Sequence, residues 1–157
     1  GINSGPMLVG NLGSKYRFAY GVLGDQVNLG SRLEGLNKAY GTEILIGENT
    51  AQLVGNTFLM REIDMVQVVG RVQPVRIYEL LGTRDKSLPH EQERAFSLYA
   101  AGLEAYRDRR WNEALELFSK SPCDVPSETM AERCQIYLQS PPPEEWDGVF
   151  EALHKYK

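Results

Sequence analysis

Tyr20-Gly-Val-Leu-Gly-Asp-Gln-Val-Asn-Leu-Gly-Ser-Arg-Leu-Glu34 is the stretch that decides how this chain is read. A β-like run from Tyr20 to Leu23 enters the turn Gly24-Asp25, and a helical apolar period follows. Val27, Leu29, Leu33 and Leu36 fall on one side of a helix expected from about Gln26 to Lys38, and Gly41 ends it. Asp25 stands where an N-cap carboxylate accepts a backbone N–H; the strong preference of Asp for that position favours a cap over a metal ligand. Asn28 and Arg32 are one helical turn apart and share a face. An amide and a guanidinium near a helix N-terminus suit a ribose and a polyphosphate. Taken alone, the pair fits a solvated helix face better, and the surrounding residues reverse that balance.

Upstream, Gly5-Pro6 breaks the chain, Met7-Leu-Val9 can form a strand, and Gly10 and Gly13 allow a turn or a close backbone approach. Phe18 to Leu23 reads as a second strand. Downstream, Ile44-Leu-Ile46 is a short buried strand, and Glu48 to Leu53 is a short helix ended by Gly55-Asn56. Phe58 to Val69 and Val75 to Leu81 predict a β-hairpin with its loop at Gly70 to Pro74. Residues 1–82 thus form an α+β unit with an antiparallel-rich sheet.

Residues 83–89 are polar, aperiodic and contain proline, and read as a linker. Residues 90–157 are helical in pattern. Ala95, Leu98, Tyr99, Gly102, Leu103 and Tyr106 recur at three- and four-residue steps, and Trp111, Ala114, Leu115 and Phe118 repeat the pattern. Small Gly102 and Ala114 would let two antiparallel helices approach, with Phe118 filling the gap. A third helix is expected from Glu128 to Leu138, and Pro141-Pro-Pro143 stops it. A last helix is expected to open at Glu144, with Trp146, Val149, Phe150 and Leu153 as its apolar face.

A formal net charge of −4 argues against broad nucleic-acid binding, which needs clustered cations. No apolar run approaches the ~20 residues of a membrane span, so this segment is expected to make no membrane contact and to be cytoplasmic. Cys123 and Cys134 read as reduced thiols, and His90 and His154 as isolated surface residues rather than ligands.

Gly1-Ile-Asn-Ser-Gly-Pro-Met-Leu-Val-Gly-Asn-Leu-Gly13, Lys15-Tyr-Arg-Phe-Ala-Tyr20, Gly24-Asp25, Val27-Asn28, Ser31-Arg32-Leu33-Glu34 and Tyr40-Gly41 follow one another in an order that carries further information. This order resembles the C-terminal half of the catalytic domain of class III nucleotidyl cyclases of the bacterial adenylate cyclase type, from Gly1 to about Leu81. The resemblance implies a partial ferredoxin-like cyclase fold. It implies that Asn28 orients the ribose of ATP and that Arg32 stabilises the phosphate charge of cyclisation. Arg71 stands where the family usually has a lysine on the triphosphate, and Gly21 where it commonly has a residue that reads the purine edge. Glycine has no side chain for that reading, which opens the choice of nucleotide. The family's two metal-binding aspartates lie before the segment that opens here, so two Mg²⁺ or Mn²⁺ ions are implied with ligands outside this chain. Further implications are intracellular signalling through cyclic AMP, a second cyclase subunit completing a homodimer, and no turnover by this chain alone. The rival reading is a non-catalytic homologue that binds nucleotide or a partner cyclase.

Gly102, Trp111, Ala114, Phe118 and Pro126 resemble one tetratricopeptide repeat in their spacing. That leaves two readings for residues 90–157: a helical cap on the α/β half, or a site for a protein partner.

Overall fold

A computed structural model describes residues 1–14, 16–85, 88–121 and 123–152. Lys15 of the resemblance, two of the linker residues, Leu153 of the expected last helix and His154 lie outside the described residues. Two apolar runs make the central hairpin: β4 (Phe58–Val68) and β5 (Val75–Thr83) pair antiparallel. β3 (Leu45–Gly47) pairs antiparallel with β5, and β6 (Phe150–Ala152) pairs parallel with β4, giving the order β3-β5-β4-β6. The sheet is therefore mixed, in an α+β fold. β1 (Leu8–Asn11) and β2 (Tyr20–Leu23) form a separate antiparallel ribbon.

The helix α1 (Asp25–Tyr40) buries Leu29, Leu33, Leu36 and Tyr40, the four- and three-residue spacing of one helical face. It ends at Gly41, whose φ of 63° places it in the left-handed region while its N–H donates to the Asn37 carbonyl. α2 (Glu48–Val54) follows β3. The first residues run alongside β3: the Ile2 N–H donates to the Leu45 carbonyl, and Gly47 N–H donates to the Ile2 carbonyl.

The helices α3 (His90–Arg107), α4 (Trp111–Ser119) and α5 (Val125–Gln139) pack on one another and on the sheet. A Cβ on Gly102 would lie 2.6 Å from Cε1 of Phe118, so this glycine is what lets the α4 ring sit against α3. Arg109 turns the chain between these helices with a positive φ of 62°, and its guanidinium donates to the Pro142, Pro143 and Glu144 carbonyls. α5 begins three residues before the expected Glu128, because Asp124 caps it by accepting the Ser127 N–H at 3.2 Å. One continuous apolar core joins Leu33, Leu36, Ile63 and Ile77 to Tyr99, Tyr106, Phe118 and Met130.

Two expectations are corrected. β5 runs on to Thr83, so the sheet extends into the stretch read as linker. No helix opens at Glu144: Gly148 takes a positive φ of 85°, and the chain then adds β6 to the edge of β4. The open edge of β4 supplies backbone partners that a short helix after three prolines would have to make by itself. The apolar residues still find the core. Trp146 packs among Tyr106, Trp111 and Tyr137, with its Nε1–H donating to the Val149 carbonyl.

β4 carries a further irregularity. The register shifts between Glu62 and Asp64, so Ile63 and Asp64 are both fully buried although they are neighbours in a strand. The Ile63 carbonyl accepts the Tyr99 hydroxyl at 2.8 Å. Asp64 Oδ2 accepts Tyr40 Oη–H at 2.6 Å and Arg133 Nη1–H at 2.6 Å, while its Oδ1 accepts the Met65 N–H at 2.8 Å. Burial alone would lower the Arg133 guanidinium, but the neighbouring Tyr40 and Asp64 hold it raised. Burial, aided by Asp64, likewise raises the Tyr40 hydroxyl.

Candidate functional site

The motif residues meet where the first half of α1 faces the β4–β5 loop. Asn28 is exposed on α1, and its N–H donates to the Gly24 carbonyl at 3.2 Å. Arg32 lies one turn further on and is half-buried, with Nη1 fully buried and without a hydrogen-bond partner among the described residues. The loop comes close to it: a Cβ on Gly70 would lie 3.2 Å from Arg32 Nη2. Gly70 has a φ of 76°, so the turn that brings the loop here favours glycine.

Arg71 follows in the same loop. The loop is held by Gln67, whose Nε2 donates to the Arg71 and Val72 carbonyls at 3.1 and 3.2 Å. The Arg71 N–H donates to the Val68 carbonyl. Arg71 Nε lies 3.3 Å from Asp25 Oδ2, an ion pair that ties the loop to the first turn of α1. This corrects the reading of Asp25. Gly24 holds the N-cap position with a φ of 152°, no side chain caps α1, and Asp25 is its first helical residue. As the first helical residue Asp25 stands one position past the cap, and its half-exposed carboxylate faces Arg71.

Asn3 clips the same turn from the other side, its Nδ2 donating to the Gln26 carbonyl and to Gln26 Oε1, both at 2.9 Å. A cavity of about 320 Å³ runs along Gln67, Gly70 and Arg71 and takes in Glu151 of β6. Gly21 lies on the β1–β2 ribbon opposite Gly10, where a Cβ would sit 3.1 Å from Cδ1 of Leu12.

The arrangement gathers two guanidinium groups, one carrying an orphaned donor, beside a helix start. Such donors take up the oxygens of an anion. One contributor to the site and one core anchor remote from it were missed in the sequence. Gln67, which pins the Arg71 loop, carries no motif. Asp64 had a readable signal: an acid in line with Val66 and Val68, on strand positions that otherwise read as core.

Among the described residues, no group of three or more His, Cys, Asp or Glu is placed to hold a metal ion. Asp25, the acid within the motif, is engaged by Arg71. The residues present do not fit a two-ion site, and no chemical step is derived through one. No helix among the described residues is long and apolar enough to cross a membrane.

Residues 1–82 match the model of the adenylate and guanylate cyclase catalytic domain, and the chain belongs to that family. It is 33% identical over 141 residues to the terminal-differentiation-specific adenylate cyclase of Dictyostelium discoideum, covering 85% of this chain and 7% of that protein. It is 38% identical over 82 residues to adenylate cyclase 1 of Rhizobium meliloti, covering 52% of this chain and 12% of that protein. A crystal structure of the adenylyl cyclase CyaB from P. aeruginosa aligns at 34% identity and a TM-score of 0.44, over 52% of this chain and 41% of that one. The chain thus spans about a tenth of the length of these two curated relatives. The first alignment covers 85% of the chain and so runs past residue 82 into the helical region.

Proposed function

We propose that residues 1–82 are the C-terminal half of a class III cyclase domain of ferredoxin-like type, and that they carry the charge-stabilising half of its active site. The observation that carries this reading is the buried, unpartnered Arg32 Nη1 beside the Gly70-Arg71 loop, one helical turn from Asn28. The substrate is ATP and the products are cyclic AMP and pyrophosphate, used in intracellular signalling. The 3′-hydroxyl of the ribose gives up its proton to solvent, its oxygen attacks the α-phosphorus in line, and the bond to the pyrophosphate oxygen breaks.

Asn28 holds the ribose so that the attacking oxygen is aligned. Arg32 takes up the negative charge that grows on the phosphate oxygens. Arg71 binds the triphosphate, exchanging its ion pair with Asp25 for phosphate oxygens. Gly21 leaves the purine to be read by backbone or water. The two divalent ions of the family, Mg²⁺ or Mn²⁺, require carboxylates from beyond these residues, so the 157-residue chain alone turns over no ATP. A second subunit completes the site in a homodimer, in the cytoplasm. The stretch after Thr83 joins this half to the helices α3, α4 and α5.

The test restores the upstream half and measures cyclic AMP with Mg²⁺ or Mn²⁺. Asn28→Ala and Arg32→Ala should each lower kcat by about 10²–10³-fold, the range for removing one pre-organised charge-stabilising group. Activity unaffected by both would refute the assignment. A second reading, a non-catalytic homologue that binds nucleotide or a partner cyclase, is favoured by Gly21, which has no side chain to read the purine. Nucleotide binding without turnover in the restored protein would support it.

A further inference from the structure

Three residues of α5 spaced by four, Val125, Thr129 and Arg133, lie on one helical stripe. All three address the last residues of α1. Val125 packs against the C-cap Gly41, where even a Cβ would collide with its side chain. Thr129 Oγ1–H donates to the Ala39 carbonyl at 3.3 Å. Arg133 Nη2–H donates to Tyr40 Oη at 3.1 Å, while Nη1 holds Asp64 of β4. The Arg133 and Asp64 side chains are 8% and 0% exposed, so this link sits in a dry core.

The opposite end of α1 is held by Asn3 and by the Arg71–Asp25 pair. Between these two anchors lie Asn28 and Arg32. A helix is a stiff rod rising ~1.5 Å per residue, so Arg32 stands about 12 Å from the Tyr40 anchor. A change of tilt at that anchor moves the Arg32 guanidinium relative to the Gly70-Arg71 loop. The Thr129 bond is also notable chemically: Ala39 is in the last turn of α1, where carbonyls lack helical partners.

We propose that α5 clamps the C-terminal end of α1 through this stripe, and that Arg133 is a positioning residue for the phosphate-facing Arg32. The inference rests on the reading of Arg32 as a phosphate ligand. It makes the helical region part of the active-site scaffold, because its third helix sets the pose of the site helix.

The test uses the full chain and two shape-conserving substitutions. Tyr40→Phe deletes the Arg133–α1 bond together with the Tyr40–Asp64 bond that ties α1 to β4, and leaves Arg133 on Asp64. Thr129→Val deletes the bond to Ala39; this single variant touches only the α5 contact and so separates the two effects. Phe118→Leu, whose ring packs on Tyr99 and Gly102 of α3, is the control for general destabilisation. The probes are amide hydrogen exchange of Asn37 to Tyr40, the Arg32 Nε–H resonance in the ligand-free chain, and inorganic pyrophosphate titrated by NMR. The double variant Tyr40→Phe/Thr129→Val should speed exchange in the last turn of α1 by about fivefold or more per hydrogen bond lost. It should also shift the Arg32 resonance and weaken pyrophosphate binding, with Phe118→Leu leaving all three near wild type.

Unchanged exchange overturns the clamp. Faster exchange with an unmoved Arg32 resonance overturns the positioning role. If the wild-type chain binds no pyrophosphate, the phosphate reading of Arg32 fails, while exchange and the Arg32 resonance still decide the clamp.

Discussion

Asp64→Asn removes one charge and almost no volume from the centre of the molecule. Asp64 is fully buried and accepts bonds from Tyr40, Arg133 and the Met65 amide. With asparagine there, the Arg133 cation keeps its desolvation cost and loses its counter-ion. Breaking a buried pair in this way costs about 3–5 kcal/mol. For a chain of 157 residues this corresponds to a fall in Tm of about 6–20 °C. Arg133→Met, which strands the carboxylate instead, should cost a similar amount.

Replacing the whole cluster should behave differently. The triple variant Asp64→Leu/Arg133→Met/Tyr40→Phe removes both charges and the Tyr40 hydroxyl, leaving the Met65 amide and the Tyr106 hydroxyl without these partners. It should return to within about 2 kcal/mol of wild type. Urea unfolding followed by the fluorescence of Trp111 and Trp146 measures all of these, since both rings sit in the aromatic cluster that α3, α4 and α5 build around Tyr106. If Asp64→Asn lies within 1 kcal/mol of wild type, a value of about the size of a surface pair, then the pair does not join α5 to the sheet as argued.

Gly102→Ala should destabilise despite the better helix propensity of alanine, because its Cβ would lie 2.6 Å from Phe118. Overpacking of ~1–3 kcal/mol outweighs a propensity gain of up to ~1 kcal/mol, and Phe118→Leu should recover most of the loss by thermal melting. Cys123 is exposed and Cys134 buried, so iodoacetamide at pH 8 should label one thiol of the folded chain quickly and the second only on unfolding. Burial raises the Cys134 thiol to about 11 from an ordinary 9.0. The neutral thiol is thus favoured by folding: its contribution is fully present below pH 9 and lost as pH rises through 11. The stability difference between wild type and Cys134→Ala, read from urea midpoints, should shrink over that window. Leu8 and Tyr20 on the β1–β2 ribbon and Phe18 in the loop between the strands are 75–81% exposed, so the chain should self-associate at micromolar concentration. Leu8→Lys/Phe18→Lys should yield a monomer by light scattering, and a monomeric wild type would contradict this.

Most of the local structure was legible along the chain. The Leu29-Leu33-Leu36 spacing and Gly41 announce α1, and the two apolar runs with Gly70 between them announce the β4–β5 hairpin. Asn28 and Arg32 were readable because their spacing is short and a helix converts spacing directly into a shared face. Asp25 was misread because Asp after Gly satisfies the cap pattern, and its partner Arg71 is 46 residues away. The last strand was misread for a similar reason. Trp146, Val149 and Phe150 suit a helix face locally, but the free edge of β4 lies far along the chain.

The sequence by itself determined the family, the α+β class, the helix carrying Asn28 and Arg32, and the helical hairpin closed on Gly102. The family rests on a resemblance in motif order spread from Gly1 to about Leu81; the others depend on periods and spacings within a few turns of chain. Only the tertiary structure decided that Arg71 meets Asp25, that β6 completes the sheet, and that Arg133 binds Asp64 and Tyr40. Those pairings are separated by tens of residues; the Arg133, Asp64 and Tyr40 cluster draws its strength from exclusion of water in the folded core, while Asp25 stays half-exposed beside Arg71. No local pattern carries that information, because it exists only once the chain has closed around it.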